Sequence, residues 1–105
     1  MDGVAVLHLT GEFDSFETEL VREGFDACLR DGHSEVVMDL SEMTFANSTT
    51  LAFFITAQNR AAEQGGRVML VKPNDFILRT IETLGLHRVL ELSDSIESAV
   101  ATLKA

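Results

Sequence analysis

The stretch Val36-Val37-Met38-Asp39-Leu40-Ser41-Glu42-Met43-Thr44-Phe45-Ala46-Asn47-Ser48-Thr49-Thr50-Leu51 restricts the fold more than any other part of the chain. Val36 to Leu40 is an apolar run too short for a helix and reads as a buried strand. Leu51 to Gln64 continues with Ala, Phe, Ile, Gln, Arg and Glu and is long enough for a helix. Ser41 to Ala46 reads as the connecting loop, and Asn47, Ser48, Thr49 and Thr50 stand on the junction where the helix begins.

The first turn of a helix leaves several backbone N–H groups without partners. One Asn or Ser at the N-cap takes up such a group, worth about 1 kcal/mol. Here four polar residues stand in line where capping needs one. A hydroxyl at a helix N-terminus is also a good place for a phosphate, because the positive end of the macrodipole and the free N–H groups favour an anion. Capping is the ordinary reading, and spacing alone leaves both open.

The same alternation runs through the whole chain. Val4 to Leu9 reads as a strand, with Val4, Val6 and His8 on one face, Ala5, Leu7 and Leu9 on the other, and Gly11 marking a turn. Asp14 or Ser15 caps a helix to about Arg30, whose apolar stripe is read as Phe16, Leu20, Phe25, Cys28 and Leu29, with Gly32 at its end. After the central strand and helix, closed by Gly65-Gly66, Arg67 to Val71 is a strand and Lys72-Pro73-Asn74 a turn. Asp75 to Leu84 makes a short helix with Ile77, Ile81 and Leu84 on one side, stopped by Gly85, and Val89 to Leu92 a last strand. Ser93 or Asp94 caps the final helix, where Ile96, Val100 and Leu103 repeat at helical spacing and Asp94 with Glu97 resembles a capping box. Strands alternating with helices predict an α/β sandwich: a mostly parallel or mixed sheet of about four strands with about four helices, joined by right-handed crossovers.

The 105 residues suit one domain, spanning 1–105, and an apolar content of 46% suits a packed core instead of a disordered chain. Seventeen acidic against eight basic residues, a formal net charge of −9, argue against nucleic acid or anionic lipid and for a partner with a basic surface. Cys28 is the single cysteine, so no internal disulfide forms. It falls on the apolar stripe, which predicts packing over reactivity. No apolar run approaches a membrane span and no leader is evident, so the expectation is a cytoplasmic protein with no direct membrane insertion.

Most enzyme readings fail on missing parts. His8, His33 and His87 are scattered, so no metal site is signalled, and no cofactor is expected. There is no Gly-x-x-x-x-Gly-Lys-Ser/Thr loop and no Gly-x-Ser-x-Gly elbow, and Gly65-Gly66 follows a helix, the wrong context for a dinucleotide. Ser48 with a distant His and Asp would make a hydrolase triad only on paper. Leu51, Phe53, Phe54 and Ile55 place large side chains around more than half a helix: either Phe53 or Phe54 is exposed at an interface, or both are buried, which is the favoured reading. A homo-oligomer stays open.

Five segments, Leu9-Thr10-Gly11-Glu12-Phe13-Asp14, Val36 to Ser41, Phe45 to Leu51, Gly65-Gly66-Arg67-Val68 and Leu84-Gly85-Leu86, together resemble the signatures of STAS domains, the anti-sigma factor antagonist family. The resemblance covers nearly the whole chain and implies a non-enzymatic regulator. In that family the junction typically reads Asp-Ser-Ser-Gly-Leu, and the second hydroxyl residue is phosphorylated by a serine kinase that is also the anti-sigma factor. Carried over, Asn47 falls on the Asp, Ser48 on the first Ser, Thr49 on the phosphoacceptor, Thr50 on the Gly and Leu51 on the Leu.

The resemblance thus implies phosphorylation at Thr49, with Ser48 as the alternative, and a partner-binding face made of Asp14, Asn47, Ser48, Thr49 and Thr50. It implies an anti-sigma factor with serine/threonine kinase activity as partner, and a phosphatase for reactivation. Asp14 has a second reading as a plain helix cap. Two departures stand out: Asn47 lacks the family's carboxylate, and Thr50 brings a branched side chain expected to crowd an approaching partner. They leave room for a STAS interaction module without a phosphate switch, in a signalling scaffold or at a membrane transporter.

Overall fold

The computed structural model describes residues 3–105. Its elements follow in the order β1 (Ala5–Phe13), α1 (Ser15–Arg30), β2 (Glu35–Ala46), α2 (Ser48–Glu63), β3 (Arg67–Val71), α3 (Asp75–Thr83), a single 3-10 turn (Leu86–Arg88), β4 (Glu91–Ser93) and α4 (Ile96–Lys104). The four strands form one sheet in the order β1-β2-β3-β4, and every pairing is parallel.

Alternation along β2 explains the layering. Val36, Met38 and Leu40 join a core with Phe25 and Leu29 of α1, Phe53, Phe54 and Ala57 of α2, and Ile77 and Ile81 of α3. Val37 points the other way, into a smaller core with Val4, Met69 and Val71 and with Ala99, Val100 and Leu103 of α4. The central strand is therefore apolar on both sides, as a parallel strand covered on both faces has to be. Because the strand order never reverses, the sheet has no crevice of the kind in which open α/β folds hold nucleotides.

Both long strands outrun their sequence-based bounds. β1 continues through Gly11 to Phe13, and β2 through the expected loop to Ala46, each supplying the other's extra partners: Thr10 with Glu42, Gly11 with Met43, Glu12 with Phe45 and Phe13 with Ala46. Gly11 is no turn. It sits at φ +91° between two register shifts, an irregularity in the ladder that a side chain would strain.

The helix starts follow local chemistry, with three corrections to the helix readings. α4 is capped by Ser95, which accepts the Ser98 N–H at 3.0 Å, in place of Ser93 or Asp94. The inward face of α1 is Thr18, Val21, Phe25 and Leu29, while Phe16 and Leu20 point to solvent. Leu84 is likewise exposed, past the end of α3. The last strand begins at Glu91 because Leu86–Arg88 close a 3-10 turn first. Phe53 and Phe54 are both buried, the favoured expectation.

Candidate functional site

In a sequential parallel sheet every strand-to-helix connection emerges at the carboxyl edge, so the starts of α1, α2 and α3 gather there. Asp14 caps α1: its Oδ1 accepts the N–H groups of Phe16 at 2.9 Å and Glu17 at 3.3 Å. Asn47 caps α2, with Oδ1 accepting the Thr50 N–H at 3.0 Å. The two junctions touch, since the Asn47 N–H donates to Phe13 O at 3.3 Å. Asn74 caps α3 through the Ile77 N–H at 2.8 Å and donates its amide to Met43 O at 3.2 Å, tying α3 to the end of β2.

Asp14, Ser48 and Thr49 are exposed and Asn47 half-buried, all on this edge. Asn47 alone meets the capping need of α2, so the hydroxyls of Ser48 and Thr49, at the first two helical positions, have no bonded protein partner among the described residues. The first turn of α2 also carries no acidic residue, whereas α1, α3 and α4 carry Glu17, Asp75 and Glu97 there. An anion at the start of α2 would meet an uncompensated dipole.

Thr50 departs from expectation. Its side chain is 1% exposed and turns inward, so it crowds nothing on the surface. Its hydroxyl lies 2.8 Å from the Thr18 hydroxyl, 3.1 Å from Asn47 Oδ1 and 3.3 Å from Phe13 O. Thr18, also 1% exposed, donates to Asp14 O at 2.8 Å. Sequence reasoning passed over Thr18, although a polar residue seven and eleven positions before Phe25 and Leu29 was the signal.

It also passed over the aromatic rim. Phe45, at the end of β2, stacks on Phe76 in the first turn of α3 with centroids 5.9 Å apart, and the two are 43% and 55% exposed. Phe16, in the first turn of α1, is 69% exposed. A groove of about 510 Å³ runs along the outer face of α3, lined by Asp75, Phe76, Arg79, Thr80, Thr83 and Leu84. Alternation in β2 marks Phe45 only if the strand is known to reach Ala46, and the sequence broke it off at Leu40.

The other titratable features lie elsewhere. The exposed His8 of β1 pairs at 2.8 Å with the largely buried Asp39 of β2, on the face that α4 shares. A carboxylate only accepts, so the imidazole Nδ1 carries the proton of that bond. Burial works against Asp39 ionising, but bonds from the Ser41 N–H, the Ser41 hydroxyl and His8 outweigh it and hold the carboxyl below its usual range. Among the described residues no group of three or more His, Cys, Asp and Glu is placed to hold a metal ion.

The fold and site define an all-parallel α/β domain with two exposed hydroxyls at one helix start and exposed aromatic side chains at the same edge of the sheet. The family model described as "Mlab, STAS domain" matches residues 1–94, and the chain belongs to that family. An anti-sigma F factor antagonist from Paenibacillus polymyxa is 23% identical over 103 residues, covering 97% of this chain and 88% of the relative. Among solved structures, an anti-sigma factor antagonist from Mycobacterium paratuberculosis superposes with a TM-score of 0.89 at 23% identity, over 100% of this chain and 89% of that one. The Bacillus cell fate determinant SpoIIAA, solved in its phosphorylated form, superposes with a TM-score of 0.75 at 17% identity, over 97% of this chain and 92% of that one. These structural likenesses establish the parallel α/β fold. Among the described residues no helix is long and apolar enough to cross a membrane.

Proposed function

We propose that this domain is a non-enzymatic, cytoplasmic anti-sigma factor antagonist switched by phosphorylation of Thr49, with Ser48 as the alternative acceptor. The observation that carries the reading is the division of labour at the start of α2: Asn47 caps, leaving Ser48 and Thr49 exposed with unengaged hydroxyls. The unmodified face, with Asp14 and Asn47 beside the hydroxyls, docks on an anti-sigma factor with serine/threonine kinase activity. Phe16, Phe45 and Phe76 supply apolar contacts around it, as exposed aromatics do at interfaces. A net charge of −9 suits a basic partner surface.

A phosphate adds roughly −1.5 to −2 charge and breaks the dock by desolvation and repulsion, while the free domain tolerates it at the helix N-terminus. A phosphatase restores the binding form. Thr50 supports this face from beneath and makes no side-chain contact across it.

Intact-mass spectrometry with site mapping on protein from its native cell tests the switch. One phosphate on Thr49, absent from Thr49→Ala, is expected, and Thr49→Glu is expected to bind the partner at least about tenfold more weakly. The absence of a carboxylate at Asn47 favours a second reading, a constitutive STAS interaction module. That reading takes over if the protein carries no phosphate under any growth condition while binding its partner.

A further inference from the structure

We propose that Thr18 and Thr50 are positioning residues that lock the starts of α1 and α2 into one rigid face, presenting Asp14 and Thr49 to a partner at a preset spacing. The docking role of that face rests on the function proposed above, whereas the lock itself is a property of the free domain.

Thr18 and Thr50 are the two fully buried polar side chains among the described residues, and they meet each other. Each hydroxyl has one proton. Thr18 commits its proton to Asp14 O at 2.8 Å, so the 2.8 Å contact between the hydroxyls is made by the proton of Thr50, with Asn47 Oδ1 and Phe13 O as its alternative acceptors. Apart from the contact between the two hydroxyls, every bond of the cluster ends on Phe13, Asp14 or Asn47, at the junctions where the two helices begin. The Asn47 N–H to Phe13 O bond closes the ring.

Stability alone does not call for hydroxyls here. Valine has the shape of threonine, and replacing both members of a buried hydrogen-bonded pair by apolar groups of the same shape is close to neutral. What a satisfied buried polar pair adds over an apolar one is a single permitted arrangement. This chain places that pair where the STAS pattern has glycine, at Thr50, directly behind the exposed hydroxyls.

Native-state hydrogen exchange by NMR on the full chain tests the lock, comparing wild type with Thr18→Val, Thr50→Val and the double variant. The reporters are the amide at position 18, bonded to Asp14 O, and the Leu51 amide, bonded to Asn47 O. Amides of β2 and β3 report global stability. In the double variant the β2 and β3 amides are expected to keep their rates within about twofold, and both reporters to exchange at least about fivefold faster, the weight of one hydrogen bond. Each single variant is expected to speed the reporter on the opposite helix. Acceleration confined to the substituted helix, or matched by the β2 and β3 amides, overturns the lock.

Phosphate occupancy at Thr49 in the native cell is expected to fall severalfold in the double variant. Equal occupancy overturns the presenting role. A wild-type protein without phosphate overturns the switch, and the exchange data then decide the lock independently.

Discussion

Phe53 shows what one side chain contributes to this molecule. It meets Phe25 edge-on at 6.0 Å, and the Arg22 guanidinium lies over its ring at 5.0 Å, so α1 and α2 are joined through one aromatic cluster. Phe53→Ala is expected to cost about 3–5 kcal/mol, read from the urea midpoint. Asp14 separates two roles in one side chain. Asp14→Ala loses the cap and about 1 kcal/mol, whereas Asp14→Asn keeps most of it. If Asp14→Asn leaves partner affinity unchanged in a binding titration, Asp14 is a cap and nothing more. Burial, and then the charge of Asp31, push the Cys28 thiol upward, so its alkylation at pH 8 is expected to be slower than that of a free thiol.

Two glycines show how elements meet. Between α2 and β3, a Cβ on Gly66 would fall 2.0 Å from Ser34 O, a backbone atom that also accepts the Arg67 N–H and so has nowhere to go. Gly66→Ala is expected to lose more than about 2 kcal/mol in thermal unfolding. Gly24, inside α1, has open space where a Cβ would stand. Gly24→Ala is expected to stabilise by about 0.5–1 kcal/mol, because alanine loses less backbone freedom in a helix. The pair distinguishes a glycine required by close approach from one that is merely tolerated.

For the whole molecule, pH exposes the charged pairs. Burial opposes ionisation of Asp39, and the Ser41 and His8 bonds overcome it; the side-chain bond from Arg67 lowers Glu91 against its own burial. Both carboxyls therefore titrate lower folded than unfolded, and the unfolded chain binds more protons as the medium turns acid. Their contribution is complete above the ordinary carboxylate range, roughly pH 4 to 4.5, and is lost as pH falls through the lowered folded values. The urea midpoint is expected to hold down to about pH 5 and then fall, less steeply in a chain carrying Asp39→Asn and Glu91→Gln.

At that same scale, periodicity and end signals determined the α/β class, the helix over Ser48–Glu63, the strand at Arg67–Val71 and the hydroxyls at a helix start, because 3.6-residue spacing, caps and glycine stops act within a few residues. Only tertiary structure decided how far β1 and β2 run, since Ser41 to Ala46 become a strand by pairing with residues about 32 positions earlier in the chain. It also turned Thr50 inward onto Thr18, exposed Phe16 and Leu20 while burying Phe53 and Phe54, and stacked Phe45 on Phe76. Periodicity tells which residues share a side of a helix. Which side meets the sheet, and what a buried hydroxyl finds there, depends on neighbours that come from elsewhere in the chain.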